Sequence, residues 1–172
     1  EALKTMPDFE KPLEDVAAFV ESIRNGSYSF DKEMAAWWAA NDPGSKGDWA
    51  AVATDTSAWK TMAVPGNWES AGLADFDGIA WFRREFEAPA AWAGKEVTLH
   101  LGPVDDRDTT WVNGVEVGAL SNWQEARDYT VPAGVIKTGR NVVAVRVLDT
   151  GGGGGFHGKA EDMKVELAAT GA

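Results

Sequence analysis

Two hydrophobic rhythms divide this chain. Up to about residue 47 the apolar residues recur at helical spacing, and from Asp48 onward they alternate with a period of two. Within residues 8–25, Leu13, Val16, Ala17, Val20 and Ile23 recur at i, i+3, i+4 intervals and predict a helix. Pro12 suits a first helical turn, and Asn25-Gly26 supplies a C-terminal stop. A second helix is predicted from Ser29 to Ala40, where Phe30, Met34, Trp37 and Trp38 share a face. Asn41-Asp42-Pro43-Gly44 ends it. These helices either offer a docking surface to another domain or cap one end of a sandwich.

The remainder reads as short strands with Gly and Pro punctuation. Trp49–Asp55 leads into a turn at Asp55-Thr56-Ser57, and Trp59–Pro65 is a short strand-like run. Clear strands are predicted at Ile79–Ala88, Glu96–Leu101, Arg127–Val131, Asn141–Leu148 and Met163–Leu167. Leu101–Gly118 has the grammar of a hairpin. Asn113-Gly114 is the dipeptide that a type I′ turn prefers, because both central residues need positive φ. Seven or eight short strands argue a mainly β protein, a jelly-roll β-sandwich preceded by two short α-helices. The expected division is a helical lead-in over 1–47 and the sandwich domain over 48–172.

Composition narrows the partners. A formal net charge of −11 opposes binding to nucleic acid or to an anionic membrane surface. With no cysteine there is no disulfide framework, thiolate metal site or cysteine nucleophile. No run of 18 apolar residues marks a membrane span. The chain begins at Glu1 without a methionine or signal peptide, as expected of a processed or excised piece. Nine tryptophans point first to core and inter-element packing and second to sugar stacking.

Candidate chemistry is sparse. No G-x-S-x-G elbow occurs, and only His100 and His157 could serve as a triad base. His100 alternates within a strand and reads as a solvated-face residue. His157 lies in a glycine-rich loop beside Phe156. The five glycines Gly151–Gly155 fit no phosphate-cradle pattern. They are either slack or shaped for close approach to a partner. Asp105, Asp106 and Asp108 offer turn chemistry or hard oxygen ligands for calcium, though their spacing is not that of an EF-hand. No catalytic residue, metal site or cofactor is assigned. A self-sufficient enzyme using a carboxylate pair stays open as one reading.

The motif series Val64-Pro65-Gly66-Asn67-Trp68-Glu69, Phe76–Phe86, Trp92-Ala93-Gly94-Lys95, Leu101–Gly118, Gly139-Arg140-Asn141 and Val145–Thr150 resembles a known family. It is similar to the jelly-roll, galactose-binding-like domain of family 2 glycoside hydrolases such as β-galactosidase. The DDRDTTWVNG and LDTGGGGGFHG stretches resemble more closely the sandwich inserted in bacterial sialate O-acetylesterase-like enzymes, whose catalytic part is an SGNH-type hydrolase. That resemblance implies a non-catalytic accessory domain that recognises a carbohydrate, an acetylated sugar or glycan, beside the SGNH-type catalytic domain of a parent enzyme. It also implies a periplasmic or extracellular setting. A purely structural or oligomerising insert, and a sugar-binding domain of the family 2 type, are the alternatives. In the related glycosidases two jelly-roll loops reach the active site. The matching positions here are Asp77 and Asp149, with Trp68, Glu69 and His157 nearby in sequence, and these five are the expected substrate-binding residues. The Trp68–Gly78 and Asp149–His157 loops are expected at one end of the sandwich.

Overall fold

The computed structural model describes residues 7–168, so residues 1–6 of the expected lead-in and 169–172 of the expected sandwich domain lie outside the described residues. The chain forms two compact units, Glu1–Asp42 and Pro43–Ala172.

The first unit holds α1 (Pro7–Arg24) and α2 (Phe30–Asn41). Pro12 sits six residues into α1 rather than in its first turn, because the helix starts further upstream than its apolar spacing suggests. Lacking an N–H, Pro12 forfeits one intrahelical bond there. Gly26 closes the end with φ +73°. Ser29 caps α2, its hydroxyl accepting from the Lys32 N–H. Val16, Phe19, Val20 and Ile23 remain exposed, as do Phe30 and Trp37. Phe19 meets Tyr28 edge-on at 5.1 Å, and Trp37 meets Trp38 at 5.0 Å.

The second unit begins with a single-turn helix, α3 (Pro43–Lys46), that the sequence did not suggest. Its strands are β1 (Gly66–Asn67), β2 (Gly78–Ala88), β3 (Val97–Pro103), β4 (Arg107–Val112), β5 (Val115–Leu120), β6 (Ala126–Val131), β7 (Gly139–Asp149), β8 (Gly155–Phe156) and β9 (Lys164–Leu167). One sheet has the order β2-β7-β4-β5, a second β6-β3-β9, and a small third pairs β1 with β8. Every pairing is antiparallel. Val97, Leu99, Leu101 and Val131 from one sheet close on Val112, Val143, Val145 and Val147 from the other, with Trp68 and Phe156 in the same core. This is the expected β-sandwich. Asn113 and Gly114 both have positive φ, +50° and +81°, as the hairpin between β4 and β5 requires.

Two expectations fail locally. Residues 49–55 and 59–65 form turns and irregular chain, not strands. Trp49 and Trp59 pack against the outer face of the larger sheet instead of joining it, and Met62 and Val64 pack against the core. Trp49 meets Trp59 at 5.2 Å and Trp81 at 6.1 Å, Trp81 stacks on Trp111 at 5.1 Å, and Arg83 Nη1 donates to the Trp49 carbonyl. That cover also removes the expected alternation in β7. Ala144 and Arg146, on its outer face, are as buried as Val143 and Val145. The Arg146 guanidinium lies over the Trp111 ring and donates to Thr109 Oγ1.

The sheets are also tied by charge. Asp108 on β4 accepts from Arg127 Nε on β6 at 2.8 Å, and both side chains are fully buried. Tyr129 Oη and Thr110 Oγ1 donate to the same carboxylate. Burial, and then the Asp108 charge, push the Tyr129 phenol well above its ordinary pKa.

Candidate functional site

Register gathers the candidate residues. In the β2–β7 pairing Gly78 lies opposite Asp149, so Asp77 precedes a strand start that faces a strand end. In the β4–β7 pairing Arg107 lies opposite Leu148, which brings Asp106 beside Asp149. The glycine loop then folds back. Gly155 pairs with Asn67, the Trp68 N–H donates to the Gly154 carbonyl, and the Asp105 N–H donates to the Gly155 carbonyl. The Trp68–Gly78 and Asp149–His157 loops therefore meet at one end of the sandwich. Their meeting is as the sequence suggests, and Asp105 and Asp106 join them.

Gly153, Gly154 and Gly155 are close contacts and not slack. A side chain at Gly154 would overlap the Trp68 ring, and one at Gly155 would overlap the Gly66 carbonyl. The Gly154 N–H donates to Glu69 Oε1 at 3.0 Å, binding the two loops together. Gly151 and Gly152 meet open space.

Each expected residue has a distinct place. Trp68 is completely buried, stacked on Phe82 with centroids 6.1 Å apart, and its Nε1 donates to the Phe76 carbonyl. A ring with no free face cannot stack on a sugar, so its expected stacking role is withdrawn; Trp68 is the post on which the glycine loop rests. Glu69 is half-buried, Asp77 is exposed, and Asp149 is buried. His157 is half-buried, with Nε2 3.7 Å from Asp105 Oδ1. His100, on the sheet surface, bonds Asp128 through Nδ1 at 2.7 Å and lies 3.2 Å from Glu166 through Nε2. It belongs to a different strand set from the loop cluster.

The electrostatics at this end are one-sided. Burial, and then the charges of Asp77, Asp106 and Glu69, hold the Asp149 carboxyl above its ordinary pKa, against the opposing Gly151 N–H bond. Burial likewise raises Asp105, helped by Asp149 and Asp106 and opposed by the Asp106 N–H and His157. Asp106 accepts from the Thr150 N–H and hydroxyl, which fixes the start of the glycine loop. Sequence reasoning kept Asp105 and Asp106 apart from the site because β4 and β7 are far apart in the chain.

These shifts predict a pH effect. A carboxyl with a folded pKa above its unfolded value of about 3.9 carries no penalty below that value. The penalty grows as pH rises through the folded pKa and is complete above it. Asp149→Asn, measured in EDTA, is therefore expected to raise the melting temperature by about 2 °C or more at pH 7.5 and to leave it nearly unchanged at pH 4. Differential scanning calorimetry at both pH values checks this, and an equal gain at both would contradict the electrostatic cause.

The arrangement accepts hydrogen bonds. Asp77 is exposed and His157 half-buried, whereas Glu69 spends Oε1 on the Gly154 N–H and keeps Oε2 buried, and Asp149, 1% exposed, offers no open side on which a glycosidic bond could lie between two carboxylates. A cavity of about 1090 Å³ runs along β2, lined by Trp49, Trp59, Trp81 and Trp92 and reaching Leu73 and Phe76 of the first loop. It opens the apolar interior and carries none of the loop carboxylates.

Residues 32–153 match the family described as the β-galactosidase second all-beta domain. A β-galactosidase of Arthrobacter sp. (strain B7) is 28% identical over 123 residues, covering 57% of this chain and 12% of that protein. A β-glucuronidase of Paenibacillus borealis is 34% identical over 62 residues, covering 34% of this chain and 10% of that protein. The crystal structure of Ruminococcus gnavus β-glucuronidase superposes with a TM-score of 0.56 at 25% identity, over 63% of this chain and 19% of that one. The chain thus spans a small fraction of each of these relatives.

Proposed function

The chain belongs to the family of β-galactosidase second all-beta domains, and from that premise we propose that it is the sugar-facing, non-catalytic sandwich of a larger glycoside hydrolase. The observation that carries the reading is the convergence of the Trp68–Gly78 and Asp149–His157 loops at one end, where Asp77 is exposed and His157 half-exposed. Carboxylates and an imidazole there accept or donate hydrogen bonds to sugar hydroxyls, and the catalytic groups come from another domain of the same polypeptide. The family and the relatives favour this glycosidase reading over the O-acetylesterase setting that the DDRDTTWVNG and LDTGGGGGFHG stretches suggest. An acetylated substrate and an SGNH-type partner domain are accordingly the second reading. A periplasmic or extracellular location is part of the same proposal.

The complete parent polypeptide tests it. We expect hydrolysis of a 4-nitrophenyl β-glycoside, with kcat/KM lowered about tenfold or more by Asp77→Ala and the fold unchanged. Hydrolysis of 4-nitrophenyl acetate instead would support the esterase setting. Wild-type kinetics in the Asp77→Ala enzyme would leave a structural insert as the better account. The isolated chain is expected to bind a monosaccharide weakly, with Kd on the order of 1 mM.

A further inference from the structure

We propose that Asp105, Asp106 and Asp149 form a binding site for a calcium-type divalent cation at the loop end of the sandwich. One oxygen from each lies within 4.8 Å of the others. That is the separation of opposite ligands around an ion with oxygen bonds of about 2.4 Å. Three acids at a surface would mean little, but these are not all at a surface. Asp149 is 1% exposed and Asp105 7%, and Oδ2 of each is buried without a hydrogen-bond donor. Glu69 Oε2, on the loop that binds Gly154, is another buried carboxylate oxygen without a donor.

A buried carboxylate needs a proton, a donor or a cation. His157 Nε2 lies 3.7 Å from Asp105 Oδ1 and offers at most one positive charge to the three acids. A divalent ion would offset the rest. Asp149 ends β7, and Asp105 and Asp106 stand in the turn just before β4, tied there by the Asp105 N–H bond to the Gly155 carbonyl and by the Thr150 bonds to Asp106. Calcium tolerates such an irregular oxygen set, with backbone carbonyls or water completing six to eight ligands, where magnesium demands an octahedron. The ion would join the turn before β4 to the end of β7 and so set the base of the glycine loop. This goes beyond the sugar-facing reading and is tested with no sugar present.

The experiment uses the EDTA-treated 172-residue chain. Tb³⁺ luminescence sensitised by tryptophan is followed while CaCl₂ or MgCl₂ competes, and melting temperature is recorded alongside. Trp68 is well placed as a donor, since its ring and Asp149 Oδ2 both border Gly154. The expected result is a saturable single site, displaced by Ca²⁺ with Kd between about 10 μM and 1 mM and by Mg²⁺ far less well. Asp105→Asn and Asp149→Asn should weaken it at least tenfold, while Glu116→Gln on the β5 hairpin strand leaves it unchanged. Should either Asn variant fail to fold, Asp106→Asn, at a half-exposed position, is the substitute and is expected to weaken binding in the same way. Three results would overturn the proposal: no saturable signal in the wild-type chain, undiminished binding in the Asn variants, or a stability gain in Asp149→Asn without any response of the wild type to Ca²⁺. The last would assign the cluster a shared proton instead of an ion.

Discussion

Gly154→Ala is expected to destabilise the sandwich by about 3 kcal/mol, because the new methyl has no room. It would overlap the Trp68 ring and stand 2.6 Å from Asp149 Oδ2. Trp68 cannot retreat, being fully buried against Phe82 and held by its Nε1 bond to the Phe76 carbonyl. Neighbouring glycines give the internal comparison. At Gly153 the obstacle is the Asn67 amide at 2.8 Å, the far end of a side chain that can swing aside, so Gly153→Ala should cost less than about 1 kcal/mol. At Gly152 a methyl meets open space but φ is +102°, and the expected cost is the backbone strain of about 1–2 kcal/mol. Urea unfolding of the three variants tests the order 154, 152, 153. Equal small losses would mean that the loop is slack after all.

Asp108→Ala is expected to cost about 3–5 kcal/mol. It would leave the fully buried Arg127 guanidinium without its carboxylate and strip Tyr129 and Thr110 of their acceptor. The pair joins β4 in one sheet to β6 in the other, so its loss acts on the sheet-to-sheet interface. Replacing both partners, Asp108→Leu with Arg127→Met, should recover most of the loss, since the greater cost is a lone buried charge. A double-mutant cycle by chemical denaturation measures the coupling. Independent, additive losses from the two single changes would show that the ion pair is not what joins the sheets.

The strands β2, β3 and β7 and the β4–β5 hairpin were legible because each carries a local signal. Ile79–Ala88 alternates, and Asn113-Gly114 demands positive φ wherever it sits. The segment 48–65 misled for the same local reason. Its apolar residues look like strand residues, but Trp49 and Trp59 cover the outer face of the larger sheet, and Met62 and Val64 pack against the core without pairing in either sheet. Burial explains both patterns equally well, and a periodicity argument cannot tell which surface a residue buries. Trp68 shows the same ambiguity at the site. An aromatic in a loop beside carboxylates suggests sugar stacking, whereas its ring is spent entirely on the core.

By itself the sequence determined the mainly β architecture, the helices before it and the tight hairpin. Those features arise from φ preferences and from the spacing of apolar residues, which act over a few positions at a time. The tertiary structure alone decided that Asp105 and Asp106 belong with Asp149, that Asp108 belongs with Arg127, and that Gly154 is pressed against Trp68. Each of these contacts spans 19 or more residues. They depend on which strands pair and in what register, and that is settled by the packing of the whole sandwich, not by any stretch of it.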